Sequence, residues 1–314
     1  MPLLRPLLGT TIPPNMFRTP RPAAALLTAA LLVPLLAPAN LPKPQSSADG
    51  TKPKSLIWDP PKIDAKLRAS STPAPCDLDK VLAQAADRAT ELVDNLQNFT
   101  AREQLDFRTY GPGGFGDNRG GGSAAFDYTA TISKRGTSFG VKESRKATQA
   151  AIDFPLGNQD IGLPEMALIF FPTLRTGYEM KCEGAADWND RATWVVSFRQ
   201  RKDRPDQTAS FYTNQHSYPA PLRGRAWLAQ DTGVVVHMEI ALMHEIPAVD
   251  VREWYLSIDY APVRFRSKDV TVWLPQSSQT WAAFDLNRVV VYHNFSDFFL
   301  FSVQTTQETA PPPK

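Results

Sequence analysis

The apolar positions of this chain follow a helical period in one early segment and a strand period in most of what comes after. Between Asp77 and Asn98 they recur every three or four residues, which places a single apolar stripe on a helix of about 20 residues. Asp77 is a candidate N-cap, because its carboxylate can accept hydrogen bonds from the first backbone amides of the helix. A shorter helix is predicted over Leu163–Phe171, opened by Pro164 and stopped before Pro172.

From Phe99 onward the period is two. The runs AREQLDFRTY, AAFDYTATISK and TSFGVKES alternate apolar and polar residues between turn sequences, a pattern typical of an antiparallel meander. Further alternating runs fill the second half, and Asp231-Thr232-Gly233 supplies a hairpin turn with glycine where positive φ is needed. This order predicts an α+β fold, in which a curved, mostly antiparallel sheet curls around one long N-terminal helix and a short second helix.

Residues 1–39 have the features of an export signal, and the true start is predicted at Met16. A short basic segment is followed by a largely apolar run of 15 residues, Ala23–Ala37, and by the A-x-A-like sequence Ala37-Pro38-Ala39. A helix needs about 20 apolar residues to cross a bilayer. We therefore expect cleavage before Asn40, no transmembrane anchor after processing, and an exported protein that is periplasmic or secreted. An uncleaved membrane anchor is the alternative.

Composition divides the rest of the chain into a linker, one domain and a tail. Prolines are concentrated early, and residues 40–75 show no hydrophobic period, so they are predicted to form a Pro-rich, disordered linker. Residues 76–307 fit a single β-rich domain. Residues 308–314, with three consecutive prolines, are predicted to form a disordered tail.

The chain has two cysteines, Cys76 and Cys182. In an oxidising exported compartment, such a pair is best interpreted as a disulfide. A disulfide that closes the loop between residues 76 and 182 would stabilise the fold by about 4–5 kcal/mol, because it lowers the entropy of the unfolded chain. Two buried free thiols are the alternative.

The sequences GRAWLAQDTGVVVHMEI, YLSIDYAPVRF, VWLPQ and YHNFSDF follow the exported leader, the long helix and the meander in that order. In this order the chain resembles the periplasmic lipoprotein-carrier superfamily, the outer-membrane lipoprotein-sorting proteins of the LolA/LolB type. The resemblance covers about residues 77–306 and lies at the level of the fold. It implies a LolA-like half-barrel domain, with an incomplete β-barrel over helices that encloses an apolar cavity for acyl chains.

Two glycine strings match enzyme motifs by letter but lack the flanking elements that the chemistry needs. Gly136–Gly140 reads G-x-S-x-G around Ser138, yet a nucleophile elbow joins a buried strand to a helix, and the flanks predict two strands. Gly111–Gly116 fits G-x-G-x-x-G, but the glycine-rich continuation to Gly122 cannot form the helix of a dinucleotide site. A hairpin loop is favoured there, with a flap or a partner contact as the alternative. We predict no catalytic residue and no cofactor, and an envelope hydrolase is the less favoured alternative.

Neither a metal nor a nucleic acid is indicated. The four histidines form no paired metal motif, the cysteines are too far apart for a zinc finger, and His237 and His293 are expected on sheet faces. Lys and Arg number 34 against 32 Asp and Glu, so a net charge of +2 gives no electrostatic case for nucleic acid. With 42% hydrophobic and 21% charged residues, the chain can build a core, which excludes collagen-like, coiled-coil and wholly disordered proteins.

Aromatic residues on the predicted strands and second helix are the remaining signal. In a closed core they pack against one another, whereas in a half-open barrel they would line an apolar pocket. The candidate ligand-binding residues are Phe170, Phe171, Trp227, Trp254, Tyr260, Phe265 and Trp273. We expect an exported, non-enzymatic envelope protein that binds a lipid, a lipoprotein acyl chain or another apolar ligand. The alternative is a periplasmic protein–protein interaction or regulatory module, which would dock an envelope protein through the sheet face or the 111–122 loop.

Overall fold

The computed structural model describes residues 58–65, 67, 75–96, 98–112, 114, 120–135, 138–148, 166–204, 209–212, 216–266, 268–284 and 287–301. The predicted export signal, most of the predicted linker and the C-terminal tail lie outside these residues. The same is true of the middle of the glycine-rich loop, of Gly136 and Thr137 in the G-x-S-x-G string, and of the first three residues of the predicted second helix.

Helix α1 spans Leu78–Asn95. Asp77 caps it as predicted, because its Oδ1 accepts a hydrogen bond of 3.2 Å from the Lys80 backbone N–H. The buried positions follow the predicted stripe and comprise Val81, Ala85, Ala86, Ala89, Leu92 and Val93. The apolar period therefore located both the helix and the side that it buries.

The described part of the chain contains twelve strands. They are β1 Asn98–Tyr110, β2 Gly121–Arg135, β3 Ser138–Ala147, β4 Tyr178–Trp188, β5 Arg191–Gln200, β6 Ser210–Tyr212, β7 Ser217–Pro219, β8 Leu222–Ala229, β9 Val235–Leu242, β10 Val251–Phe265, β11 Val270–Phe284 and β12 Arg288–Leu300. All pairings between them are antiparallel. The predicted meander and the predicted antiparallel sheet are thus confirmed.

Ten of these strands form one open sheet in the order β3-β2-β1-β12-β11-β10-β9-β8-β5-β4, while β6 and β7 form a separate pair. The pairing of β1 with β12 joins the start of the sheet to its end in sequence, and β3 and β4 are left as the two edges. The hairpin between β8 and β9 turns at Gly233, whose φ of 73° confirms the predicted need for glycine.

The sheet has two differently covered faces. One face, called the helix face here, contributes side chains such as Leu256, Ile258 and Leu274 to the main core cluster, which also contains the buried stripe of α1. The opposite face, called the outer face, carries two smaller clusters, one around Val195 and Trp227 and the other around Tyr110, Tyr255 and Trp281. Both faces of the sheet are therefore partly buried.

The second predicted helix, Leu163–Phe171, is described only from Met166, which is helical. Ala167–Phe170 forms a 3₁₀ turn, and helix α2 then spans Pro172–Arg175. Pro172 therefore begins a helix instead of stopping one, since the first helical position has no backbone hydrogen bond for proline to remove. Phe170 is fully buried in the main core, so this short region acts as packing beneath the sheet.

The structure differs from the predicted linker over residues Trp58–Ala65, called the strap here. Trp58 contacts Tyr110 and Trp281 on the outer face, and Ile63 is only 6% exposed. The sequence predicted a disordered linker here, because this Pro-rich segment has no hydrophobic period. Two large apolar side chains placed on an apolar surface are enough to hold such a segment, although they produce no periodic pattern.

A disulfide joins Cys76 to Cys182, as the sequence predicted. Cys76 lies two residues before α1, and Cys182 lies in the edge strand β4. The bond therefore ties the start of the helix to one edge of the sheet.

Candidate functional site

A cavity of about 290 Å³ lies between α1, the tip of the β8–β9 hairpin and the ends of β10 and β11. On the helix side it is lined by residues at successive turns, Ala85, Arg88, Ala89 and Leu92. On the sheet side its apolar wall comes from Val234, Val235, Tyr260, Val272 and Trp273. Two alanines one turn apart border the cavity, and their short side chains leave space that larger side chains would fill.

The rim of this cavity is polar and is fixed by contacts between the helix and the hairpin. Arg88 donates from Nε to the Thr232 carbonyl oxygen at 2.9 Å and pairs with Glu91 at 2.6 Å. Gly233 packs so closely on α1 that a Cβ built on it would lie 2.7 Å from the Gln84 Cβ. The hairpin tip can approach the helix this far only because it carries glycine.

The seven predicted ligand-binding residues divide into three groups. Tyr260 and Trp273 line the cavity. Four others belong to the main core cluster without lining this cavity, and all are at most 6% exposed: Phe170, Phe171, Trp254 and Phe265. Trp227 lies on the outer face, because alternation along β8 points it away from Ala226 and Leu228, which face α1. The sequence correctly placed the five residues other than Phe170 and Phe171 on strands, but it could not assign the face.

Trp227 belongs to an aromatic cluster around His237. The Trp188 ring stacks on His237 with centroids 3.6 Å apart, and the Trp227 ring lies edge-on at 4.8 Å. His237 Nδ1 lies 2.8 Å from Asp259 Oδ1, and Nε2 lies 3.9 Å from Glu239 Oε1. Burial alone lowers the pKa of His237, but the two carboxylates outweigh burial and raise it overall.

A buried ionic cluster lies on the helix face, far along the sheet from His237. The Glu103 carboxylate is fully buried, with Arg145 Nε and His293 Nδ1 each 2.7 Å from it. Burial raises the pKa of Glu103, but these two partners together lower it below its ordinary value, so the group stays ionised. Arg145 also lies over the Tyr128 ring at 5.1 Å. This cluster links β1, β3 and β12 and satisfies a charge inside the core.

The G-x-S-x-G string lies between two strands, as the sequence predicts. Arg135 at the end of β2 pairs with Ser138 at the start of β3, so the G-x-S-x-G string spans a hairpin and lacks the following helix of a nucleophile elbow. His237 and His293 lie in strands, as expected. Among the described residues, no group of three or more His, Cys, Asp or Glu side chains could hold a metal ion.

Sequence reasoning missed two parts of this surface. Ala85 and Ala89 belong to the predicted apolar stripe of α1, and no local pattern indicated that they border a cavity. The strap was missed because Trp58 and Ile63 lie in a Pro-rich segment. A lone tryptophan in such a segment is the signal that could have found it.

No family model matches this chain, and no curated protein matches it at a significant level. Within the described residues, no helix is both long and apolar enough to cross a membrane.

Several solved structures are similar to the chain. A DUF1329 family protein from Desulfovibrio piger has 8% identity and a TM-score of 0.40, covering 72% of this chain and 94% of that chain. A LolA superfamily protein from Nitrosomonas europaea has 10% identity and a TM-score of 0.34, covering 75% and 99%. The lipoprotein LppX of Mycobacterium tuberculosis has 11% identity and a TM-score of 0.26, covering 71% and 96%. One of the matched structures is thus a LolA superfamily protein, from the superfamily that the sequence resembles.

Proposed function

We propose that this protein is an exported, non-enzymatic envelope protein that holds an acyl chain of a lipid or lipoprotein in a half-barrel cavity. The observation that carries this proposal is the cavity of about 290 Å³ between α1 and the helix face, with its apolar wall and polar rim. An apolar chain gains about 0.8 kcal/mol for each CH₂ group that it buries. A cavity with such walls therefore favours a hydrocarbon over a polar metabolite.

The size of the cavity restricts the ligand. Small-molecule sites commonly measure about 300–1,000 Å³, so this one is suited to a segment of a single acyl chain. Tyr260 and Trp273 are proposed to contact the chain, and Arg88 at the rim to lie near its polar end. The core residues Phe170, Phe171, Trp254 and Phe265 are proposed to form the packed surroundings of the site.

The experiment is native mass spectrometry of the protein purified after export and without detergent, followed by binding of a fluorescent long-chain fatty acid. Ala89→Leu places extra carbon atoms in the cavity, and Ala86→Leu is the matched control, since Ala86 is buried on the same helix but does not line the cavity. We expect at least a tenfold loss of fatty-acid affinity in Ala89→Leu and little change in Ala86→Leu. The same mass spectrum locates the cleavage site that is predicted before Asn40.

Extra mass that is released as fatty acid or phospholipid supports the proposal. A protein that carries no extra mass and does not bind the fatty acid contradicts it. Equal effects of the two substitutions would also contradict it, because they would show that the probe binds elsewhere.

A further inference from the structure

We propose that the outer face carries a peptide-binding groove, which the strap Trp58–Ala65 occupies in this structure. The groove is formed by Tyr110, Arg223, Arg225, Tyr255 and Trp281. Its ligand class is a proline-containing peptide of an envelope protein that ends in a turn, with an aromatic side chain followed six positions later by a carboxylate. This inference concerns the opposite face of the sheet from the acyl-chain cavity and does not depend on it.

One end of the groove recognises an aromatic side chain. The Trp58 ring meets the rings of Trp281 and Tyr110 edge-to-face, with centroids 5.0 Å and 5.8 Å apart. Such pairs are attractive beyond the apolar area that they bury. The Trp58 backbone N–H also donates to the Gly114 carbonyl oxygen at 2.8 Å. Side chain and backbone are therefore both held at this end.

The other end of the groove recognises a carboxylate and the peptide backbone through two arginines. Arg223 Nη1 donates to both carboxylate oxygens of Asp64, at 2.7 Å and 2.8 Å. Arg225 Nη1 donates to the carbonyl oxygens of Ile63 and Ala65, at 2.6 Å and 2.7 Å. Arg225 is itself positioned by Glu183, 2.8 Å from its Nε. Ile63 and Asp64 lie in a turn, which the Ala65 backbone N–H closes by donating to the Lys62 carbonyl oxygen at 2.9 Å. Contacts to carbonyl oxygens do not depend on the side chain, so another peptide with the same turn can make them.

The peptide between these ends is stiffened by Pro60 and Pro61. Proline fixes φ near the value of an extended polyproline segment. Aromatic-lined grooves bind such segments well, because little backbone entropy remains to be lost on binding. The aromatic and acidic ends of the strap therefore match the two ends of the groove, and the two prolines join them.

The groove is larger than the strap. A cavity of about 470 Å³ remains beside Pro60 and Pro61, and another of about 270 Å³ lies on the side of Arg223 and Arg225. Trp281 lines the first cavity, and its buried indole N–H has no hydrogen-bond partner in the described part of the chain. A peptide longer or bulkier than the strap would find space and a free donor there.

The strap is suited to exchange with a second peptide. Its ion pair with Arg223 is exposed on the Asp64 side, where the side chain is 76% accessible, and exposed pairs hold weakly. A tethered segment nevertheless competes at an effective concentration in the millimolar range. We therefore expect a free peptide to bind poorly until the strap is weakened.

The experiment measures fluorescence anisotropy of a labelled peptide with the sequence of residues 56–67, LIWDPPKIDAKL, added to the full protein purified after export. Three proteins are compared: wild type, a strap variant with Trp58→Ala and Ile63→Ala, and the same variant with Arg223→Ala and Arg225→Ala. We expect at least tenfold tighter binding to the strap variant than to wild type, and loss of that gain when the arginines are removed. Asp64→Ala, which removes only an exposed carboxylate, replaces the strap variant if the latter does not fold.

A charge exchange tests whether binding follows the proposed geometry. A peptide carrying Asp64→Arg is expected to bind the strap variant with Arg223→Asp and to bind poorly to the strap variant that keeps Arg223. A peptide that binds none of these proteins overturns the groove, as does binding that is indifferent to Arg223 and Arg225 or equal for wild type and strap variant. Fatty-acid binding should be unchanged by the arginine substitutions, so failure of this groove and failure of the acyl-chain cavity can be told apart.

Discussion

The two faces of the ten-stranded sheet are covered in different ways. The helix face is covered by α1, whose buried stripe belongs to the same core cluster as Leu256 and Ile258, both fully buried. The outer face is covered only in part, by a strap held through one aromatic contact region and two arginines. One cover is a helix tied to the sheet by a disulfide, and the other is a short segment without helix or strand that is held by surface contacts.

This difference indicates which face can change its occupant. Removing α1 would expose most of the core, whereas removing the strap would expose a limited aromatic surface. Proteins open locally where few apolar contacts hold a segment. In the two proposals, a ligand would therefore enter the helix face only at the cavity beside Ala85 and Ala89, while the strap would leave the groove on the outer face.

The largest expected effect comes from breaking the covalent tie of the helix face. Replacing Cys76 and Cys182 together by serine should lower the free energy of unfolding by about 4–5 kcal/mol, because the unfolded chain regains the entropy of a loop spanning 106 residues. Urea denaturation of the two proteins measures this. A loss below about 1 kcal/mol would show that α1 is held by packing alone and that the covalent tie adds little.

A core substitution separates packing from ligand contact on the helix face. Phe170→Ala removes a fully buried ring and should cost about 3–5 kcal/mol of unfolding free energy. Phe299→Ala is the control, because that ring is 62% exposed and its loss should change stability by at most about 0.5 kcal/mol. Thermal and urea unfolding of both variants measure these changes in stability. If Phe170→Ala were as stable as wild type, residue 170 would face the ligand space and not the core.

The outer face should respond to pH through His237. A raised pKa in the folded state means that the folded protein binds the proton more tightly than the unfolded one, so this stabilisation is full below the unfolded value of about 6.5 and is lost as pH rises through the folded pKa. His237→Gln should therefore cost more stability at acidic pH, about 1.5–3 kcal/mol from its charged hydrogen bond, than at alkaline pH. Urea unfolding at both pH values measures this. A cost that is independent of pH would place the role of His237 in packing alone.

The smallest effect is expected at the strap. Asp64→Asn removes an exposed ion pair and should change global stability by less than about 1 kcal/mol. It should nevertheless increase the rate of tryptic cleavage after Lys62, because a loosened strap reaches the protease more often. Asp269→Asn, which removes another exposed pair with Arg264, is the control and should leave that cleavage rate unchanged. Equal cleavage in both variants would mean that Asp64 does not hold the strap.

Local sequence patterns predicted the elements well. The three- and four-residue spacing located α1, the alternation of period two located the strands, and Asp231-Thr232-Gly233 forms the predicted turn. These features depend on neighbours in sequence. Proline was the less reliable signal, because β11 continues through Pro275, where the register with β10 shifts between Asp259 and Tyr260. Such an irregularity lets a strand accept proline.

The amino-acid sequence by itself determined the fold class of this protein, its long helix, its antiparallel strands and the cysteine pair, because each follows from local periods or from composition. The tertiary structure decided which strand face each aromatic residue occupies, so that Tyr260 lines the cavity and Trp227 packs on the other side. It also decided that Ala85 and Ala89 line a cavity and that Trp58 contacts Trp281 on the outer face. The physical reason is that space and contact depend on residues far apart in the chain, whose approach no local pattern contains.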